Sequence, residues 1–302
     1  MRVTQNMMTN NLLRNLNRNL RGMEKLYDQM ATGKKMNRPA DDPANLVNAL
    51  RNRTQRTEVA KYKSNVDDAM TWLENTDAAL GEAGNVLQRI RELVVYGSTG
   101  THPQDAKNAI ADEVAQLRDH LAQVANSKVG DRYIFSGTNT LKPAVELGTD
   151  EVTGELTAAW QGNSKEIRFE IGQNVTVAVN VNGDKLFGSG NTPEESMFYL
   201  LGKIVDDLQN GGDVGANLGE LDKQIDNVLA IRADVGARVN RLEMSDSWLT
   251  DLNINLTALS AKMEDVDMAE AFTRFTNLEN VYRASLSVGS RIIQPSLIDF
   301  IR

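Results

Sequence analysis

The sequence predicts a mainly α-helical chain with a β-rich insertion in its middle, the long helices being supplied by both chain ends. Three observations point there. Apolar residues recur in steps of three and four over long stretches, from Leu12 to Met30, from Val66 to Val94, and again beyond Leu218. Alternation of apolar and polar residues appears in between, from about Asp131 to Gly190. Aromatic residues make up 5% of the 302 residues and there are 6 prolines, a composition that suits helix better than sheet.

The first helix carries Leu12, Leu16, Leu20, Met23, Tyr27 and Met30 on one stripe, and Gly33 fits its C-terminal stop. Arg38 stands before Pro39 and is pushed towards an extended conformation. Asp42 reads as the N-cap of a second helix and Pro43 as its first residue. Arg38, Pro39, Asp42 and Pro43 thus form an inter-domain turn. The second helix is long: Val66, Ala69, Leu73, Thr76, Leu80, Ala83, Leu87, Ile90 and Val94 alternate steps of three and four, and of these nine only Thr76 is polar. A seam this regular predicts coiled-coil-like packing. Running from Pro43 to about Tyr96, it would be on the order of 80 Å long at 1.5 Å per residue.

Gly97-Ser98-Thr99-Gly100 is a turn, and Thr101 and Gln104 have capping-box spacing for a third helix. Its stripe is Ile110, Val114, Leu117, Leu121 and Val124, ending near Gly130, so it folds back on the second helix as a hairpin. The seam is expected to be packed by Leu73, Leu80, Leu87, Ile90, Leu117 and Leu121. Tyr133-Ile134-Phe135 reads as a short strand, and Ile167–Ile171 and Val175–Val181 as a hairpin about Gly172-Gln173-Asn174. The segment 155–162, with Trp160, reads as a partner strand. Thr192-Pro193-Glu194-Glu195 restarts helix. After a loop with Gly211, Gly212 and Gly215, a heptad frame runs through Leu218, Leu221, Ile225, Val228, Val235, Val239, Leu242, Leu249 and Leu256. A last helical segment carries Phe272, Phe275, Tyr282, Leu286, Ile293, Leu297 and Phe300.

Helical stripes need partners, and the two ends are each other's natural ones. The predicted organisation is a terminal helical domain (1–40 with 265–302), a helical rod domain (41–132 with 218–264) and a β-rich outer insertion (133–217).

Catalytic chemistry finds little support. There is no cysteine, which removes disulfides, thiolate metal sites and thiol nucleophiles together. The two histidines, His102 and His120, stand apart from any acidic motif. Gly211-Gly212-Asp213-Val214-Gly215 lacks the Gly-Lys-Ser/Thr of a phosphate loop. Asp41-Asp42 could suggest an acid or metal pair, but capping accounts for Asp42. No enzyme activity, cofactor or metal is predicted. No apolar run is long enough to insert in a membrane as a helix, and the start lacks a secretory apolar run. The net charge of −8 hides an asymmetry: residues 1–63 hold 13 Lys and Arg against 5 Asp and Glu. The basic residues are spread out with little aromatic interleaving, so an acidic neighbouring helix fits this region better than nucleic acid does.

Several motifs, in order, resemble the bacterial flagellin superfamily. They are Met30-Ala31-Thr32-Gly33-Lys34-Lys35-Met36-Asn37-Arg38-Pro39-Ala40-Asp41-Asp42-Pro43, Leu87–Val95, Phe135-Ser136-Gly137, Arg238-Val239-Asn240-Arg241-Leu242 and Ser285–Arg302. Met1-Arg2-Val3-Thr4, the two prolines of the 37–43 turn and Ser296-Leu297-Ile298-Asp299-Phe300 are similar to the hook–filament junction branch of that family. The resemblance implies an elongated rod and export without a cleaved signal to the extracellular flagellum. It also implies partners there: the first junction protein, flagellin, copies of the chain in a ring, and an export chaperone at the C-terminal segment. Leu12, Leu16, Leu20, Phe272, Tyr282, Leu286, Ile293 and Leu297 are the expected assembly surface, because exposed apolar stripes mark association sites. In flagellins an innate immune receptor grips the middle helical domain, and alignment on Leu87–Val95 puts that contact at Arg89, Leu93 and Glu113. Two other readings stay open, a flagellin-type filament subunit and a coiled-coil adaptor for nucleic acid or signalling partners.

Overall fold

The computed structural model describes residues 5–99, 103–149, 156–188 and 196–292. Its long helices are α1 (Gln5–Thr32), α2 (Pro43–Ser98), α3 (Gln104–Ala125), α6 (Leu218–Glu264) and α7 (Met268–Ile292). The shorter helices α4 (Gly183–Phe187) and α5 (Met197–Asn210) lie in the middle of the chain. The fold is mainly α with a small β-rich insertion. Two units form: residues up to 58 with those from 252 onward, and residues 59–251.

In the unit of residues 59–251 the α2 stripe is the core. Val66, Ala69, Leu73, Thr76, Leu80, Leu87, Ile90 and Val94 are fully buried and Ala83 is nearly so. Thr76 escapes an unsatisfied hydroxyl by donating to Trp72 O at 2.8 Å, one turn back. α6 runs antiparallel to α2. Arg91 meets Asp222 at 2.6 Å, Arg232 meets Asp77 at 2.8 Å, and Lys63 donates to Thr250 at 2.8 Å. Leu221, Val228, Val235, Leu242 and Leu249 supply its side of the seam, buried at every seventh residue. α3 is antiparallel to α2 on another face, with Glu113 on Arg89 and His120 on Glu82. Gly97, in the last turn of α2, lets α5 pack close, since a Cβ there would stand 2.7 Å from Leu208 Cδ2.

Several sequence expectations are corrected. α3 stops at Ala125, before a minimal hairpin of β1 (Lys128–Val129) and β2 (Arg132–Tyr133) that turns at Gly130 with φ +59°. Thr101 lies outside the described residues; Pro103 is the N-cap, and the Gln104 amide donates to Leu208 O and Gln209 O instead. Ile134 and Phe135 are not strand but core, the Phe135 ring meeting Phe187 edge-on. The strand holding Trp160, β4 (Leu156–Trp160), pairs with β3 (Val145–Thr149), a strand not among those expected.

β5 (Arg168–Gly172) and β6 (Val175–Ala178) form the expected antiparallel hairpin, but it ends before Val179 and Val181. The reason is Asn180. Its side chain accepts from Ile167 N at 2.8 Å and donates to Lys165 O at 2.9 Å, replacing the ladder. Arg238 of α6 then takes Ala178 O and Asn180 O. The helical restart expected at Thr192–Glu195 lies outside the described residues; α5 begins at Met197.

Candidate assembly surface

In the other unit α1 and α7 lie antiparallel. Gly289 is buried against Leu12, where a Cβ would come within 2.6 Å of Leu12 Cδ2, and Gly22 faces Leu278. The two glycines let the helices approach closely. Beyond α1, Gly33 takes φ +71°, a helix-ending conformation that costs glycine little. Lys34 then bridges to Asp265, with Lys35 N donating to Glu264 O at 2.6 Å and Val266 N to Gly33 O at 2.9 Å.

The turn into α2 is organised by Asp41. Its carboxylate accepts from Arg38 N at 2.9 Å and Asn37 N at 3.2 Å and pairs with Lys25 at 3.1 Å. These bonds, the one from Arg38 N foremost, hold its pKa below the usual carboxylate range. Asp42 caps α2 by accepting from Asn45 N at 3.1 Å, and Pro43 opens the helix, where its missing N–H costs nothing. Arg38 reaches back to Asp28 at 3.4 Å. Sequence reasoning saw the Asp42 cap but not the Asp41 role, which is to accept from the backbone N–H groups of Asn37 and Arg38.

The residues expected at the assembly surface divide. Leu12, Leu16 and Tyr282 are half-buried, whereas Leu20, Phe272 and Leu286 are exposed by 49%, 62% and 47%. Ile293 and Leu297 lie outside the described residues. The exposed apolar surface also includes Leu13, Tyr27, Met268, Val281 and Val288. A signal for part of it was present: Leu13, Leu20 and Tyr27 recur every seven residues, a second apolar row beside the one that packs.

Of the expected seam residues, Leu73, Leu80, Leu87, Ile90 and Leu121 are fully buried. Leu117 is half-exposed, while the Arg118 side chain next to it is buried. Arg89, Leu93 and Glu113 come together without forming an open site. Arg89 donates to Glu113 at 2.8 Å and to Glu92 at 3.1 Å, which raises its pKa, and Leu93 is only 6% exposed. Among the described residues no cluster of His, Asp and Glu could hold a metal ion, and no helix is long and apolar enough to cross a membrane.

The model of the bacterial flagellin N-terminal helical region matches residues 3–140, and that of the C-terminal helical region matches residues 218–301. This chain belongs to the bacterial flagellin family. Flagellin of Bacillus subtilis is 29% identical to it over 299 residues, covering 94% of each chain. Flagellar hook-associated protein 3 of Escherichia coli is 25% identical over 310 residues, covering 94% of this chain and 95% of that one. In fold, a crystal structure of flagellar hook-associated protein-3 from Legionella pneumophila overlays on 70% of this flagellin-family chain and 98% of its own. The TM-score is 0.62 at 16% identity. The family consists of structural components of the flagellum, and the chain is one of them.

Proposed function

We propose that this chain is the hook–filament junction adaptor, the counterpart of flagellar hook-associated protein 3, and not a filament-forming flagellin. The observation that carries the reading is the fold likeness to hook-associated protein-3, which takes in 70% of this chain and 98% of that one, together with the 25% identity to flagellar hook-associated protein 3 over 94% of this chain. The turn agrees with it: Pro39 and Pro43 frame a segment tied by Asp41 and Asp42.

The mechanism is mechanical. A seam buried at every seventh residue of α6 resists bending, because sliding it would expose a row of Leu and Val side chains. The α1–α7 pair buries one apolar row internally and keeps another for neighbours. Copies of the chain form a ring between the first junction protein and flagellin. The chain travels unfolded to the extracellular flagellum without a cleaved signal, a chaperone holding its C-terminal segment. Three parts share the work: the paired ends (1–40 and 265–302) assemble, the helical part (41–132 and 218–264) stiffens, and the insertion (133–217) faces outward.

Deleting the gene tests the reading. Hooks should remain without filaments, with flagellin released into the medium, and the intact gene should restore filaments. A deletion strain with full-length filaments contradicts it.

A further inference from the structure

Along α1, Arg14, Arg18 and Arg21 stand on one edge of the helix at steps of four and three, all exposed. With Asn17 they line a shallow hollow of about 480 Å³. None of the three meets a carboxylate among the described residues. Arg14 donates to Asn11 Oδ1, and Arg21 Nε to Asn17 O at 3.3 Å. By contrast Arg53, Arg91 and Arg232 are matched with Glu264, Asp222 and Asp77. The first acidic residue in the chain is Glu24. The ridge is therefore uncompensated cation in a chain whose net charge is −8.

A complementary surface exists on α3. Asp105, Asp112 and Asp119 recur every seven residues and are exposed. Asp105 and Asp112 pair with no cation among the described residues, while Asp119 takes Arg118 at 3.2 Å. Seven helical residues span about 10.5 Å, so this stripe has the same repeat as Arg14 to Arg21. Assembly into a ring needs a head-to-tail contact in which two different patches of one chain complement each other. Two ridges facing each other would repel, which disfavours the isologous alternative.

We propose that in the assembled flagellum the Arg14–Arg18–Arg21 ridge of one copy seats on the Asp105–Asp112–Asp119 stripe of a second copy. The contact fixes which way successive copies face, and apolar surface supplies the adhesion. It rests on the junction reading, and the test separates the two.

The chain has no cysteine, so single introduced cysteines report unambiguously. Full-length R18C and D112C chains are co-expressed, and isolated flagella are treated with a short bis-maleimide. The expected product is the mixed R18C–D112C dimer, with neither homodimer. In parallel, R14E/R18E/R21E should be lost from flagella, and adding D105R/D112R/D119R to the same chain should restore it. Unchanged thermal melting of these exposed variants confirms that each folds. Flagella that contain the cysteine variants at wild-type level yet give no mixed dimer overturn the ridge contact and leave the junction reading standing. So does normal incorporation of the charge-reversed chain. An unmodified chain absent from flagella overturns both.

Discussion

Arg53 grips Glu264 with two parallel bonds, Nε to Oε1 at 2.9 Å and Nη2 to Oε2 at 2.6 Å. The carboxylate is 5% exposed and also faces Lys34 at 3.6 Å, while its backbone carbonyl takes Lys35 N. One residue thus joins α2, the end of α6 and the segment leaving α1. Its bonds with Arg53, foremost, and with Lys34 hold its pKa below the ordinary 4.5.

A depressed carboxylate pKa gives stability that is fully present above the unfolded value and lost as pH falls through the folded one. The unit of residues up to 58 and from 252 onward should therefore weaken as the pH drops below 4.5. Glu264→Gln should remove about 1–3 kcal/mol near neutral pH, as the loss of charged hydrogen bonds does, and flatten that acid limb. Thermal melts of both chains across pH 3–7 (roughly the window set by carboxylate titration) check it; equal acid limbs would mean the cluster is not what titrates.

Leu80 is fully buried at the middle of the α2 seam. Leu80→Asp should cost about 3–5 kcal/mol as an unpaired buried charge. Leu80→Ala should cost about 2–5 kcal/mol through the cavity it leaves. Urea unfolding followed by circular dichroism reads both, and an unchanged midpoint would place Leu80 outside the core.

Gly289→Val should separate α1 from α7, since even a Cβ would collide with Leu12. Overpacking of this kind costs about 1–3 kcal/mol. Amide exchange over Leu12–Met23 should quicken while α3 keeps its protection. Unaltered exchange in α1 would show that the glycine contact does not hold the pair.

Much of this was legible in the sequence because period decides burial. The nine α2 positions chosen by spacing alone are all buried, and Gly33, Asp42 and Pro43 do at the turn what their chemistry dictates. The failures are local. Val179 and Val181 alternate like a strand, yet the Asn180 amide outcompetes the ladder for Ile167 N. Val145–Thr149 alternates only over Val145, Glu146 and Leu147 before Gly148 breaks the run, too short a signal to stand out, and its pairing with Leu156–Trp160 reveals it. At the surface, spacing put Leu12 and Leu20 on one stripe. It could not tell that Gly289 draws Leu12 under α7 and leaves Leu20 out, because that depends on a residue far along the chain.

Removing residues 1–40 and 265–302 tests whether the long seam folds without the paired ends. The remaining chain keeps α2, α3 and α6 with their buried heptad row. It should be a soluble helical monomer with cooperative unfolding, measured by sedimentation and thermal melting. Gradual, non-cooperative melting would show that the ends are part of the same core.

The central claim is a position, and immunogold electron microscopy of isolated flagella with an antibody to this chain measures it directly. Label confined to a short band where hook meets filament is the predicted result. Label along the filament would make the chain a filament subunit, and its absence from flagella would contradict the account altogether.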